Sequence, residues 1–299
     1  MNTSRPLPDL PYARESRAAL LALAASGVVW GLSWLPLKYF GGLGLDGHLI
    51  GLSAYALVAV VSLPIIWRER HQWQAERRLL LLIGLFFGCA NLAFTAALMS
   101  GSVVRVMLLF FLLPAWGALG GVLFLRERLG PARVLAVVLS LAGVVIIVGG
   151  VEVLRQPLSL ADGAALLAGI CYTAGGITNR KARVIPLASR TLVAFVGSAA
   201  MAVAGLALST PAFPVLSAVS WGWLVLFAFV WLLGGTVLTT FGVTRVQASR
   251  AAVIQVVELL VAVLTAVWLG GESLGPTEAA GAGLIAAAAV IEAWSQSTA

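Results

Sequence analysis

The amino-acid sequence predicts an all-α integral membrane protein, with ten transmembrane helices in a five-plus-five inverted repeat around a central cavity. Three observations carry this. Of 299 residues, 61% are hydrophobic and only 10% charged, where a soluble domain carries about a quarter charged, and mean hydropathy is +1.01. The apolar residues fall into ten runs close to the roughly 20 residues that cross a bilayer. Finally, the stretch Ser102–Pro131 returns about 145 positions later as Gln247–Pro276. Arg105 falls on Arg250, Glu127 on Glu272, and Leu129-Gly130-Pro131 on Leu274-Gly275-Pro276. Apolar residues match in any two membrane helices. A charged pair and a turn that keep register across a whole span mark an internal repeat.

The ten spans are 19–39, 48–67, 79–99, 102–125, 131–150, 159–179, 187–208, 220–241, 248–269 and 276–294. None alternates apolar and polar residues as a barrel strand would, so helices are the way to satisfy the backbone in lipid. Before the first span, Arg5, Arg14, Arg17 and three prolines make a polar tail. The run that follows lacks a small-residue cleavage site and reads as a retained helix. The domain boundaries are a cytoplasmic tail 1–18, a first five-helix repeat 19–150, an extracytoplasmic linker 151–158, a second, inverted repeat 159–294, and a cytoplasmic tail 295–299. Small residues at Gly27/Gly31, Gly84/Gly88 and Gly117/Gly121 form GxxxG pairs that let backbones approach. Span 10 is almost all small from Ala279 to Ala289 and reads as a structural or dimerising helix rather than a cavity wall.

Orientation follows from Lys and Arg. Sixteen of nineteen lie in the tail and loops of one side, leaving Lys38, Arg105 and Arg155 on the other. The basic side is cytoplasmic, which places both termini there. Five spans per half is an odd number, so the second half is inserted upside down. Inverted repeats are a transporter architecture, with the substrate site near the midplane.

The net charge of +7 sits in short loops, where orientation explains it better than nucleic-acid binding. Cys89 and Cys171 lie inside apolar runs, and His48 and His71 are isolated, so neither a disulfide nor a metal site is expected. Gly42-Leu43-Gly44-Leu45-Asp46-Gly47 fits GxGxxG but joins two membrane helices, without the strand a dinucleotide site needs. With no catalytic or nucleotide motif, the expectation is a non-enzyme without cofactors.

Leu125 to Gly130, which reads Leu-x-Glu-x-Leu-Gly, the copy of that turn at Glu272 to Gly275, and Trp30-Gly31-x-Ser33 with Lys38 in span 1 resemble the drug/metabolite transporter superfamily. Within it the chain is similar to the EamA branch and, by its aromatic-rich helices, to YddG-type amino-acid exporters. The resemblance covers essentially the whole chain. It implies export from the cytoplasm by alternating access, through a basket of helices around a central cavity.

Several helix faces carry polar or aromatic groups at midplane depth. Residues at i, i+4 and i+7 share a face, which groups Ser26, Trp30 and Ser33. Span 3 offers Gly84, Gly88, Asn91 and Thr95; span 4 offers Phe110, Pro114, Gly117 and Gly121. Span 6 offers Gly169, Tyr172, Thr173 and Gly176, span 8 Trp231, and span 9 Gln255 with Glu258. Tryptophans at span ends form interfacial belts, which accounts for Trp67, Trp73, Trp221, Trp223 and Trp294. Trp30 and Trp231 lie mid-span, where lining a cavity and packing against lipid both stand. Asn91 has two readings, a cavity group or a bond to a neighbouring helix. Pro114 frees a carbonyl near the midplane. The candidate substrate-binding set is Trp30, Ser33, Asn91, Phe110, Tyr172, Thr173, Trp231, Gln255 and Glu258.

Glu258 is the acidic residue nearest the middle of any span, and intramembrane carboxylates default to functional roles. It could pair with the ammonium of a zwitterion, relay a proton, or lock helix packing. The leading expectation is a secondary-active or facilitative exporter of amino acids with apolar and aromatic side chains. An exporter of drugs or other small metabolites is the alternative. No carboxylate lies between Leu20 and Tyr39 or between Gly163 and Asn179, which weakens cationic-drug antiport. Lys38, Arg105 and Arg250 sit near span ends, which weakens phosphate-bearing substrates. The expected partners are an amino acid, a proton in the coupled case, and the bilayer, with the chain a monomer or homodimer in the inner membrane.

Overall fold

The computed structural model of the chain describes residues 17–125, 130–148, 159–208, 213–246 and 248–297. Among them helices are joined by short turns and no strand occurs. Span 1 consists of α1 (Arg17–Gly31) and α2 (Trp34–Gly42), and span 2 of α3 (Gly47–Ile50), a π-helical stretch Gly51–Tyr55 and α4 (Ala56–Arg68). A short α5 (Arg70–Trp73) leads to α6 (Arg77–Ser100), which is span 3. Span 4 is α7 (Val103–Phe110) with α8 (Leu113–Leu125), span 5 is α9 (Pro131–Val148), span 6 α10 (Leu160–Lys181) and span 7 α11 (Leu187–Leu208). Span 8 runs through α12 (Ala218–Leu226), a π-helical stretch Phe227–Gly234 and α13 (Gly235–Val243). Spans 9 and 10 are α14 (Ala248–Trp268) and α15 (Pro276–Ser297). Seven of these stretches are long and apolar enough to cross a membrane, while spans 5, 9 and 10 contribute shorter apolar helices.

The packing has the two-fold character that the repeat implies. Span 3 packs on span 6 as span 8 packs on span 1. Span 4 packs on span 6 as span 9 packs on span 1, and span 4 on span 5 as span 9 on span 10. Spans 2 and 7 meet each other, as do spans 5 and 10. These pairs are interchanged by swapping the two halves.

Two spans are broken near their middles, each four residues before a proline. Pro36 and Pro114 have no N–H to offer the carbonyls of Leu32 and Phe110. In span 1 the helix tightens, with Ser33 N donating to Trp30 O at 3.0 Å, before restarting at Trp34. In span 4 Phe111 N still reaches Met107 O at 2.9 Å, and Trp116 N then picks up Leu112 O at 3.2 Å. A freed carbonyl at Pro114 was expected from sequence; the interruption of either span was not anticipated.

Glycines set the close approaches. Gly27 and Gly31 rest on the α14 backbone, where a Cβ at Gly31 would lie 2.7 Å from the Glu258 carbonyl oxygen. Cβ atoms at Gly88 and Gly197 would collide with the backbones of Gly197 and Gly84 respectively, so spans 3 and 7 touch main chain to main chain. In span 4 the expected contact at Gly117 is absent, because nothing lies within 4 Å of its Cβ position. Gly120 makes the approach instead, against Ile177 of α10. Gly143 of α9 packs on Gly281, Leu284 and Ile285 of α15, so the small-residue face of span 10 seats its partner span.

Leu21, Val60, Leu81 and Leu123 on the outer surface are each 67% exposed or more, as a lipid-facing exterior requires. Trp67, Trp221 and Trp223 are exposed with them. Trp73 instead folds back and donates its indole N–H to Ile66 O at 2.9 Å. The side chain of Trp294 lies outside the described residues, as does Glu127. Cys89 and Cys171, on spans 3 and 6, are free.

Candidate functional site

Tyr172 sits mid-way along α10 with aromatic rings on two sides. Phe87 of α6 lies edge-on at 5.5 Å between centroids and Phe110, the last residue of α7, at 5.7 Å. Phe94 of α6 leans on Phe110 at 4.7 Å. Tilted and edge-on arrangements of this kind are the favourable ones for ring pairs. Glu258 lies on α14, which packs against α7. Tyr172 keeps 37% of its surface accessible although α6 and α7 supply these neighbours. Its free surface lies beside the rings of spans 3 and 4, and this side of α10 is the candidate chamber. A group bound there meets aromatic rings from three helices.

The expected site residues divide. Phe110 and Tyr172 come together here, and Glu258 lies on α14, which packs against α7. Thr173 follows Tyr172 on α10, turned toward Gly120, and its hydroxyl donates to Gly169 O at 2.9 Å. Trp30 turns to span 8, where its indole donates to Thr239 Oγ1 at 3.1 Å and its ring covers Gly235. One turn on, Trp34 makes the matching bond to Thr265 Oγ1 of α14 at 3.0 Å. Ser33 lies at the span 1 break, 3% exposed, with no partner for its hydroxyl. The indole nitrogen of Trp231 is likewise buried and unpartnered. Gln255 is half-buried one turn before Glu258. Asn91 donates to Ser198 Oγ of α11 at 3.0 Å, which places it in a helix contact. Its stripe follows suit, since Gly84 and Gly88 face α11 and Thr95 meets Tyr55 at 3.4 Å. The opposite, aromatic face of span 3 is the one turned to the chamber. Phe87 and Phe94, seven residues apart and so on one face, were missed because nothing separates them by hydropathy from their apolar neighbours.

At one end of the bundle, polar groups from four regions converge on the turn between spans 3 and 4. Lys38 Nζ donates to Gly101 O at 2.7 Å. The Glu272 carboxylate accepts from Ser102 Oγ at 2.7 Å, Val103 N at 2.8 Å and Val104 N at 3.0 Å, satisfying the first N–H groups of α7. Such orphan donors favour an anion at a helix N-terminus. Arg105 binds Asp162 of α10 through Nε to Oδ1 at 2.7 Å and a second guanidinium nitrogen to Oδ2 at 2.9 Å. Asp162 is itself held by a capping box with Ser159. Beside this cluster a cavity of about 540 Å³ is lined by Lys38, Asp46, His48, Ser100 and apolar groups of α6, with none of the chamber's residues in its wall.

No cluster of His, Cys, Asp and Glu fit to hold a metal occurs among the described residues. A comparison with curated proteins finds no match. One solved crystal structure superposes with a TM-score of 0.60 at 17% identity, over 92% of this chain and 96% of the other, which shows a shared fold. The family model for EamA-like transporters matches twice, over residues 17–149 and 159–292, the two halves related by the packing symmetry. With both repeats matched and the helical membrane architecture in place, the chain belongs to the EamA-like transporter family.

Proposed function

We propose that the protein exports amino acids, preferentially those with aromatic and other apolar side chains, by alternating access across the inner membrane with both termini cytoplasmic. The observation that supports this reading is the aromatic wall at Tyr172, Phe110 and Phe87, with the mid-span carboxylate Glu258 on α14, which packs against α7. A zwitterion with an apolar side chain complements both. Its ammonium neutralises a carboxylate that would otherwise be costly at midplane depth, and its side chain gains ring contacts of about 0.5–1.5 kcal/mol beyond area burial. The absence of a mid-span Lys or Arg in the sequence speaks against phosphorylated metabolites. The test is counterflow in liposomes loaded in turn with phenylalanine, methionine, serine and a hydrophobic drug cation. Phenylalanine and methionine are expected to drive uptake of labelled phenylalanine. Uptake driven by the drug alone would overturn the amino-acid reading in favour of drug export.

A further inference from the structure

The polar cluster at the span 3–4 turn does not touch the chamber, yet one short helix joins the two. The eight residues of α7 start at the cluster and end at Phe110. Along its length Val103, Val104 and Val106 to Phe110 are all 8% exposed or less, enclosed by spans 3, 5, 6, 9 and 10. Thus the apolar residues of α7 are packed on every side between the level of Tyr172 and that face. At its inner end the helix is interrupted, with α8 resuming only at Leu113. A proline break of this kind absorbs a change in backbone angle. At its outer end it is fastened twice. Glu272 in the span 9–10 turn caps its first turn with three hydrogen bonds. Arg105, one turn along, is held by Asp162 at the start of α10. The fastenings come from the second repeat and α7 from the first, so they tie the two halves together at one face.

We propose that α7 is the gate of this face, swinging on the Phe110–Leu113 break, and that Glu272 and the Arg105–Asp162 pair are its latch. The proposal rests on the transport reading above, though its test needs no substrate. In the structure the latch is shut. Opening the face requires the Glu272 carboxylate to leave the α7 N-terminus and Asp162 to release Arg105, so both acids position the gate without contacting what passes through it.

The test uses the full chain in membrane vesicles of defined sidedness, with Cys89→Ala, Cys171→Ala and one reporter thiol, Gly176→Cys, one turn from Tyr172 on the same face of α10 with nothing within 4 Å of its Cβ position. A membrane-impermeant maleimide is added from the latch face and its rate of reaction measured. Cutting the latch with Glu272→Ala or Asp162→Asn is expected to raise the rate about tenfold, the equivalent of a population shift of about 1.4 kcal/mol. Glu272→Gln keeps the shape of the side chain and loses acceptor capacity, and is expected to give a smaller rise in a protein certain to be compared at equal folded amount. Bridging Ser102→Cys to Glu272→Cys with a short, reducible bis-thiol reagent before the reporter is exposed is expected to slow the rate below that of the intact latch, with recovery on reduction. Equal rates with the latch intact, cut and bridged would overturn the proposal. Loss of amino-acid counterflow with these rate changes present would remove the substrate reading and leave the gate standing.

Discussion

Arg105 and Asp162 form a two-point ion pair between α7 and α10, 57 residues apart in sequence. Asp162 is 4% exposed and Arg105 36%, so water screens the arginine while the carboxylate depends on its partners. Asp162 also accepts the Ser159 backbone N–H at 3.0 Å. The two ends of the pair are therefore unequal. Arg105→Ala is expected to cost about 1 kcal/mol, near the upper end for a partly exposed pair. Asp162→Ala loses the helix cap as well, worth about 1 kcal/mol more. Thermal unfolding in detergent measures both, and equal shifts would show that the cap contributes nothing.

Glycine substitutions separate contact from open space. Gly88→Ala forces a methyl into the backbone of span 7 and is expected to destabilise by about 1–3 kcal/mol, the range for overpacking. Gly117→Ala meets nothing within 4 Å and is expected to be neutral or to stabilise by up to about 1 kcal/mol through helix propensity. Melting temperatures of the two variants in one detergent check this, and a Gly88→Ala protein as stable as wild type would contradict the backbone contact.

Glu258→Gln distinguishes the three roles open to this side chain, because it keeps shape and hydrogen bonding while removing the charge. On the proposed reading, exchange of phenylalanine falls by about tenfold or more, as expected when a charge-assisted bond is lost. Exchange that survives while pH-driven accumulation fails would assign the carboxylate to proton coupling. Unchanged affinity and pH dependence in a folded variant would leave it a packing role. In parallel, Tyr172→Ala is expected to reduce phenylalanine and methionine uptake more than serine uptake, with equal losses pointing to folding.

Orientation is checked by reporter fusions. Those after Gly44 and Phe213 are expected to report the outer side, and those after Arg70 and Arg183 the cytoplasm. A reversed pattern would turn the latch of α7 to the cytoplasmic face and make the gate an inner one.

The helices and their two-fold arrangement were legible because they rest on strong, local signals: run length, and an arginine, a glutamate and a Leu-Gly-Pro turn in register. Glycine pairs at 27/31 and 84/88 also found their contacts. Much less of the chamber could be read. In a helix apolar on every side, periodicity does not say which face turns inward, so Phe87 and Phe94 were passed over for the Gly84–Asn91 stripe that packs on α11. Gly117 misled for the same reason, since one residue position decides whether a glycine meets a helix or a gap. The partners of Glu272 and Asp162 were out of reach too. They lie about 170 and 57 residues away, and nothing short-range announces them.

The main-chain contact of spans 3 and 7 has a mechanical meaning. Where side chains interdigitate, a helix moving along its neighbour must lift each knob out of its hole. Between Gly88 and Gly197 there are no knobs to lift, and the Asn91–Ser198 hydrogen bond is left to hold the register. The joint is a smooth bearing, strong against separation because the backbones touch, and weak against sliding along the helix axes.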